Sequence, residues 1–277
     1  MKFSTAAACA LVTAALSAQA LAQEAEQALP LWELGMVAVG VSTPAYPAST
    51  ERVSRALALP IFFYRGEVLR ADRDSVGARL VHTRDYDFDV SFAASLPSSS
   101  RDIAARNGMP DLGTLVEFGP RLKLTLARPT PASRLRLELP VRAVLEVNGG
   151  VRGQGLAFEP ELGFESAARL DGWRFSVSGS LVLGDHQLNQ YFYGVSPQFA
   201  SAARPAYDAR AGLLATRLSA STSKDQTPHL RVFGFVRYES YSGSANSASP
   251  LFLRSDGTTV GVGMVWTLVH SERRAAD

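Results

Sequence analysis

The stretch Leu112–Asn148, LGTLVEFGPRLKLTLARPTPASRLRLELPVRAVLEVN, decides how the rest of this chain is read. From Leu112 to Leu126 the even positions carry Leu112, Thr114, Val116, Phe118, Pro120, Leu122, Leu124 and Leu126, and the charges Glu117, Arg121 and Lys123 all fall on odd positions. After a turn over Arg128 to Ser133 the parity inverts. Leu135, Leu137, Leu139, Val141, Ala143, Leu145 and Val147 alternate with Arg134, Arg136, Glu138, Arg142 and Glu146. Successive side chains of a strand point to opposite faces, so this alternation marks two strands with unlike faces. Soluble strands run about 5–6 residues, and a tilted strand crossing a bilayer needs roughly 9–11; both arms exceed the second figure. A soluble barrel would show the same alternation with its apolar face turned inward, so the surrounding sequence must discriminate.

The N-terminus points to export. Met1-Lys2 is followed by the apolar, Ala-rich run Phe3 to Ala18, and Ala20-Leu21-Ala22 places small residues where a signal peptidase reads, predicting a signal peptide over residues 1–22 and a mature chain from Gln23. The only cysteine, Cys9, lies inside that signal, which excludes disulfides and thiol chemistry from the mature protein. No later segment supplies about 18 uncharged apolar residues, so a membrane-bound mature chain would have to be a closed barrel. Net charge is +2 with acids and bases interleaved, which leaves no footprint for nucleic acid.

Residues 23–277 read as one domain: an all-β, closed antiparallel transmembrane β-barrel of about twelve strands, with a polar tail over 269–277. Trp32 to Val41, Val53 to Tyr64, Tyr86 to Ala94, the two arms of the opening hairpin, Leu156 to Glu165, Trp173 to Leu183, Tyr207 to Ser219, Leu230 to Glu239 and Val260 to Leu268 carry the alternation, and Glu67 to Arg73 and Ser75 to His82 are short, charged candidates. Asp85, Asp87 and Asp89 are expected in the lumen. Short turns (Arg65-Gly66, Arg84-Asp85, Arg128 to Ser133, Leu170 to Gly172) alternate with long connections (Ser42 to Glu51, Leu96 to Pro110, Asp185 to Pro205, Ser240 to Asp256). That asymmetry matches periplasmic turns and extracellular loops. Trp32, Tyr64, Tyr86, Trp173, Tyr207, Tyr238 and Trp266 are candidates for interfacial girdles. Pro60, Pro120, Pro140 and Pro160 fall inside the expected strands, where bulges or missing ladder bonds are anticipated.

Several pieces resemble the MipA/OmpV family of outer-membrane proteins, the MltA-interacting proteins. They are Pro44-Ala45-Tyr46, Leu59-Pro60 with Tyr64-Arg65-Gly66, Arg106-Asn107-Gly108-Met109-Pro110-Asp111-Leu112-Gly113, Glu117-Phe118-Gly119-Pro120, Leu139-Pro140-Val141-Arg142, Tyr191-Phe192-Tyr193-Gly194-Val195 and Ser249-Pro250-Leu251. The chain departs from the pattern at its end, where the charged tail His270 to Asp277 follows the terminal aromatic. The resemblance implies an outer-membrane location, contact with lipid and lipopolysaccharide, and a scaffold that brings a lytic transglycosylase together with a penicillin-binding protein. Porin-like and adhesive relatives keep a small-solute pore and an adhesin open as alternatives.

Catalysis finds little support. The histidines are His82, His186, His229 and His270; His186, with Ser178 and Ser180 on the preceding strand, is the one position from which a lipid hydrolase could be built. No two histidines share a metal-ligand spacing, and no cofactor is expected. Gly149 to Gly155 reads as a turn, since no helix follows to cradle a phosphate. Arg106, Gly108, Met109, Pro110 and Asp111, with Tyr193 and Gly194, are the candidates for a fixed loop over the barrel mouth, held down by an Arg106–Asp111 pair. A lumen network is expected from Glu117, Arg121, Lys123, Arg136, Glu138, Arg142, Glu146, Glu159, Glu161, Glu165, Arg174, Arg210 and Arg237.

Overall fold

The computed structural model of the chain describes residues 30–65, 69–71, 76–83 and 85–273. The expected signal peptide, the turn after Arg65 and the last residues of the tail lie outside them. Thirteen strands are found among the described residues: β1 (Trp32–Pro44), β2 (Arg52–Arg65), β3 (Leu69–Ala71), β4 (Val76–His82), β5 (Tyr86–Ser95), β6 (Thr114–Thr130), β7 (Ser133–Val147), β8 (Val151–Phe158), β9 (Glu161–Leu170), β10 (Trp173–Gly184), β11 (Gly212–Asp225), β12 (Leu230–Ser240) and β13 (Asp256–His270). All pairings are antiparallel and, β8 and β9 apart, follow chain order, and the first strand pairs with the last, Glu33 opposite His270 through Ser42 opposite Val260. The thinnest link is β3, which meets β2 only at Tyr64–Ala71 and Arg65–Arg70.

The count differs from twelve because β8 and β9 lie end to end. β8 pairs with β7 over Val141–Val147 and β9 with β7 over Ser133–Glu138, and both reach β10. Their break falls at Glu159-Pro160, where proline cannot donate to the ladder; its carbonyl still accepts from Leu181 N at 3.2 Å. Pro60 and Pro140 are accommodated without a break, opposite Met36 and Arg121. At Pro120 the pairing with β7 lapses and resumes in the same register.

The faces sort as a lipid-facing barrel does, not as a soluble one. Outward even positions of β13, Val260, Met264, Trp266 and Leu268, are exposed, Val262 is 70% exposed and Leu218 on β11 is 60%. Inward Asp89 and Lys123 are only 5% exposed. A water-soluble fold buries the first set and exposes the second. β6 runs for 17 residues, enough to cross a bilayer and project beyond it.

The two ends are unlike. Trp32 N donates to Ser271 Oγ at 3.3 Å and Ser271 N to the Trp32 carbonyl at 2.9 Å, so the start of β1 and the segment after β13 meet at one end. β13 thus runs through Val269 and His270, past the expected start of the tail. The short connections 83–85, 131–132, 171–172 and 226–229 share that end. Trp32, Phe62, Tyr64, Tyr86, Trp173 and Trp266 ring it; Trp32 and Phe62 lie 6.5 Å apart, and Phe62 and Tyr64 6.4 Å. Tyr207 belongs elsewhere, because β11 starts at Gly212 and Tyr207 bridges Val195 within a loop. The long connections 45–51, 96–113, 185–211 and 241–255 gather at the other end with the tight turn at Asn148–Gly150. Gly149 there has φ +66°, a left-handed conformation that glycine adopts without cost.

These loops hold the apolar core. Tyr46, Ile103, Leu112, Val195 and Leu251 form one buried cluster, and Leu188, Tyr193 and Tyr241 form another with the lumen-facing Leu115, Val144, Ala157 and Ala215. Leu112, expected on the lipid face, is instead 4% exposed inside this plug, because β6 starts two residues later and Leu112 bridges Ser98. The irregular stretch after Asp185 contains a helix, α1 (His186–Tyr193). Asp185 caps it, accepting from Leu188 N at 2.8 Å through Oδ1 and from Leu156 N at 2.9 Å through Oδ2, which ties the helix to β8.

Candidate functional site

The interior is a lattice of ion pairs running the length of the barrel. Arg121 on β6 takes Asp89 on β5 at 2.8 Å and Glu138 on β7 at 3.0 Å, and Lys123 reaches Asp89 at 3.2 Å. Arg136 pairs with Glu165, which also receives Arg134 at 3.7 Å. Nearer the mouth, Arg142 lies 3.3 Å from Glu117 and pairs with Glu159; Arg217 on β11 pairs with Glu159 and with Glu239 on β12 at 2.7 Å. Glu117 on β6 interacts electrostatically with Arg217 and Arg237 on β11 and β12, so charge complementarity spans the lumen. At the turn end, Arg174 and Arg231 share Asp225 at 2.8 and 2.6 Å. Charges taken out of water need partners and hydrogen bonds of this density.

The expected lumen set is brought together with one exception. Arg210 lies outside β11 as an exposed loop residue, where its N–H donates to Asn246 Oδ1 at 2.8 Å. Glu161 stands opposite Glu138 in the β7–β9 register. Glu146 points up rather than across, accepting from Gly113 N, Gln154 Nε2 and the Tyr191 hydroxyl at 2.8–2.9 Å. Of the three aspartates expected inside, Asp89 is buried and Asp85 is exposed at the turn, where Arg128 reaches it at 3.2 Å. Arg217, Glu239 and Asp225 were not singled out from the sequence. They sit among serines and threonines or at strand ends, where alternation gives no contrast.

The plug is fixed from several sides. Arg106 is 3% exposed; its guanidinium donates to the Phe192 carbonyl at 3.2 Å and the Pro110 carbonyl at 3.4 Å and lies 5.8 Å from the Tyr46 ring. The expected Arg106–Asp111 pair is not formed. Asp111 instead accepts from Ser100 N at 2.6 Å, because a short 3₁₀ turn over Ser100–Asp102 brings that amide to it. Gly108 has φ +80°, as the turn into Met109 requires. Tyr46 donates to the Leu251 carbonyl at 2.8 Å, tying the first loop to the last, and burial pushes its phenol up to about 12. Burial likewise raises Tyr191, Tyr193 and Tyr241, and it draws Arg106 below its ordinary value.

Two hollows result. One of about 430 Å³ opens at the plug surface and is lined by Arg106, Met109, Pro110, Asp111 and Gly194, which unites most of the loop candidates; Tyr193 lies beneath, fully buried. The other, of about 510 Å³, lies in the upper lumen between plug and ion-pair lattice. His186 makes its hydrogen bond to Asp208 at 3.3 Å, with both side chains mostly exposed. The Ser180 hydroxyl donates inward to Glu159 at 3.0 Å, so serine, histidine and carboxylate are not aligned as nucleophilic catalysis needs.

An outer-membrane channel from Pseudomonas putida F1 is 12% identical at a TM-score of 0.46, with 87% of this chain and 97% of that one covered. Outer-membrane phospholipase A from Escherichia coli is 14% identical at a TM-score of 0.37, covering 86% and 91%. Scores of this size carry no functional argument. No curated protein matches the chain significantly. A family model does match, over residues 35–268, which spans β1 to β13, and its description is MltA-interacting protein MipA. The chain belongs to the MipA family.

Proposed function

We propose that this protein is an outer-membrane scaffold that docks peptidoglycan-remodelling enzymes and neither conducts solutes freely nor hydrolyses lipid. The observation that carries this reading is the filled interior: cross-strand ion pairs through the lumen, and a mouth packed with its own loops. A barrel built this way offers surfaces, not a passage. The family description, MltA-interacting protein, supports a partner of the MltA class; in this reading that partner is a lytic transglycosylase, and a penicillin-binding synthase is the second enzyme held nearby. The exposed apolar band supports lipid as the solvent of the outer wall, and in this reading the short connections, with the start of β1 and the segment after β13, form the periplasmic docking face. Co-purification tests it: the refolded full chain, immobilised in nanodiscs, is expected to retain a lytic transglycosylase, and substitutions in the turns at 131–132 and 171–172 are expected to release it. Retention no greater than by empty nanodiscs contradicts the scaffold.

The runner-up is a small-solute pore, favoured by the hollow of about 510 Å³ left in the upper lumen. Planar-bilayer recording separates the two. A silent bilayer accords with the scaffold, and discrete conductance steps support the pore.

A further inference from the structure

The upper-lumen hollow has a composition that neither docking nor barrel stability uses. Val39 and Val41 of β1, Val182 of β10, Leu188 and Phe192 of α1 and Phe235 of β12 make most of its wall apolar. Its deeper margin is ionic, and there the arginines differ. Arg142 has Glu117 and Glu159, and Arg217 has Glu159 and Glu239. Arg237 lines the same hollow and makes no hydrogen bond or ion pair among the described residues, and its Nε is buried without an acceptor. The carboxylate closest along its own strand, Glu239, is occupied by Arg217 and by the Tyr241 hydroxyl at 3.1 Å. Glu117, Glu159, Glu161 and Glu239 attract this guanidinium at longer range, but none lies at hydrogen-bond distance, and a compact anion entering the hollow can be met there by two parallel N–H donors.

We propose that the hollow binds a single-chain amphiphile with a carboxylate head, a fatty acid, whose head engages Arg237 and whose chain lies against Val39, Val41, Val182 and Phe192. The volume falls in the range of about 300–1,000 Å³ typical of ligand pockets. A small inorganic anion would leave the apolar wall uncovered. A cationic amphiphile would face an arginine, and the carboxylates that line the hollow, Glu117, Glu159 and Glu239, are already paired. The inference goes beyond the docking role and stands independently of it, since the hollow lies inside the mouth and the docking face at the opposite end.

The test uses the refolded full chain in nanodiscs, titrated with radiolabelled laurate and, separately, with dodecanol, after subtracting retention by lipid-only nanodiscs. Heat-modifiable mobility on gels certifies that each variant is folded. Saturable laurate binding is expected; Arg237→Gln should weaken it about tenfold and leave dodecanol unchanged, since a hydrogen bond to a charged group is lost without change to the wall. Arg237→Lys should retain most of the affinity. Val182→Trp, which fills the hollow, should abolish binding of both probes. No laurate above the lipid-only background, or equal affinity in wild type and Arg237→Gln, overturns the proposal.

Discussion

Glu159 is the residue on which most of the interior converges, since it accepts from Arg142, Arg217 and the Ser180 hydroxyl at the break between β8 and β9. Without it Arg142 keeps only Glu117 and Arg217 only Glu239, and losing one member of a buried ion-pair network costs up to about 3–5 kcal/mol. Glu159→Leu is therefore expected to lower unfolding stability in micelles by about that amount, measured by guanidinium titration, and Glu159→Gln by less. Gly119 tests close packing at the same scale: a Cβ there would strike the Val141 carbonyl on the paired strand. Gly119→Ala should cost about 1–3 kcal/mol in the same titration. At this scale parity showed which charges point inward along the long, strongly alternating strands, but not at strand ends such as Asp85 and Arg210 or among serines and threonines, as at Arg217. It did not show who meets whom: Arg121 with Asp89, or Arg217 with Glu159, depends on register and on strands distant in sequence.

Among the elements, the plug makes the sharpest pH prediction. Tyr46, Tyr191, Tyr193 and Tyr241 all have phenols raised by burial above the ordinary value near 10, Tyr46 to about 12. A group whose folded pKa exceeds its unfolded one stabilises the fold below the unfolded value and loses that contribution as pH rises through the folded one. The plug should therefore hold up to about pH 10 and loosen as pH approaches 12. Tyrosinate absorbance should show these four of the eight tyrosines ionising late and together; titration of all eight near pH 10 would contradict this. Arg106→Ala removes the bond from the 96–113 loop to the Phe192 carbonyl of α1 and the bond to Pro110 within the loop, and should speed limited proteolysis of that loop while the barrel stays intact. The helix itself was hidden in the sequence, since a stretch of one α-helix's eight residues between polar loops has too few turns to show a period. Leu112 misled because strand parity ran on unchanged into the loop.

For the whole molecule, the alternation of β6 and β7 and the unequal connections were enough to specify a barrel with short turns at one end and long connections at the other. Strand bookkeeping was less legible, because a proline can break a stave, as at Pro160, or pass through it, as at Pro60 and Pro140, and only the neighbouring ladder decides. The apolar outer band predicts that charge there is costly: Val262→Arg should lower folding stability in vesicles by about 2–4 kcal/mol, and Thr222→Arg near the turn end by much less. The most direct measurement places single cysteines along 135–142 of β7, feasible because Cys9 is the only native cysteine, and reads nitroxide collision rates in lipid vesicles. Oxygen collisions, which report lipid, should peak at 135, 137, 139 and 141 and fall at the positions between. Water-soluble nickel chelate peaking at the even positions, with the odd ones shielded from oxygen, would mean that the barrel is turned the other way out.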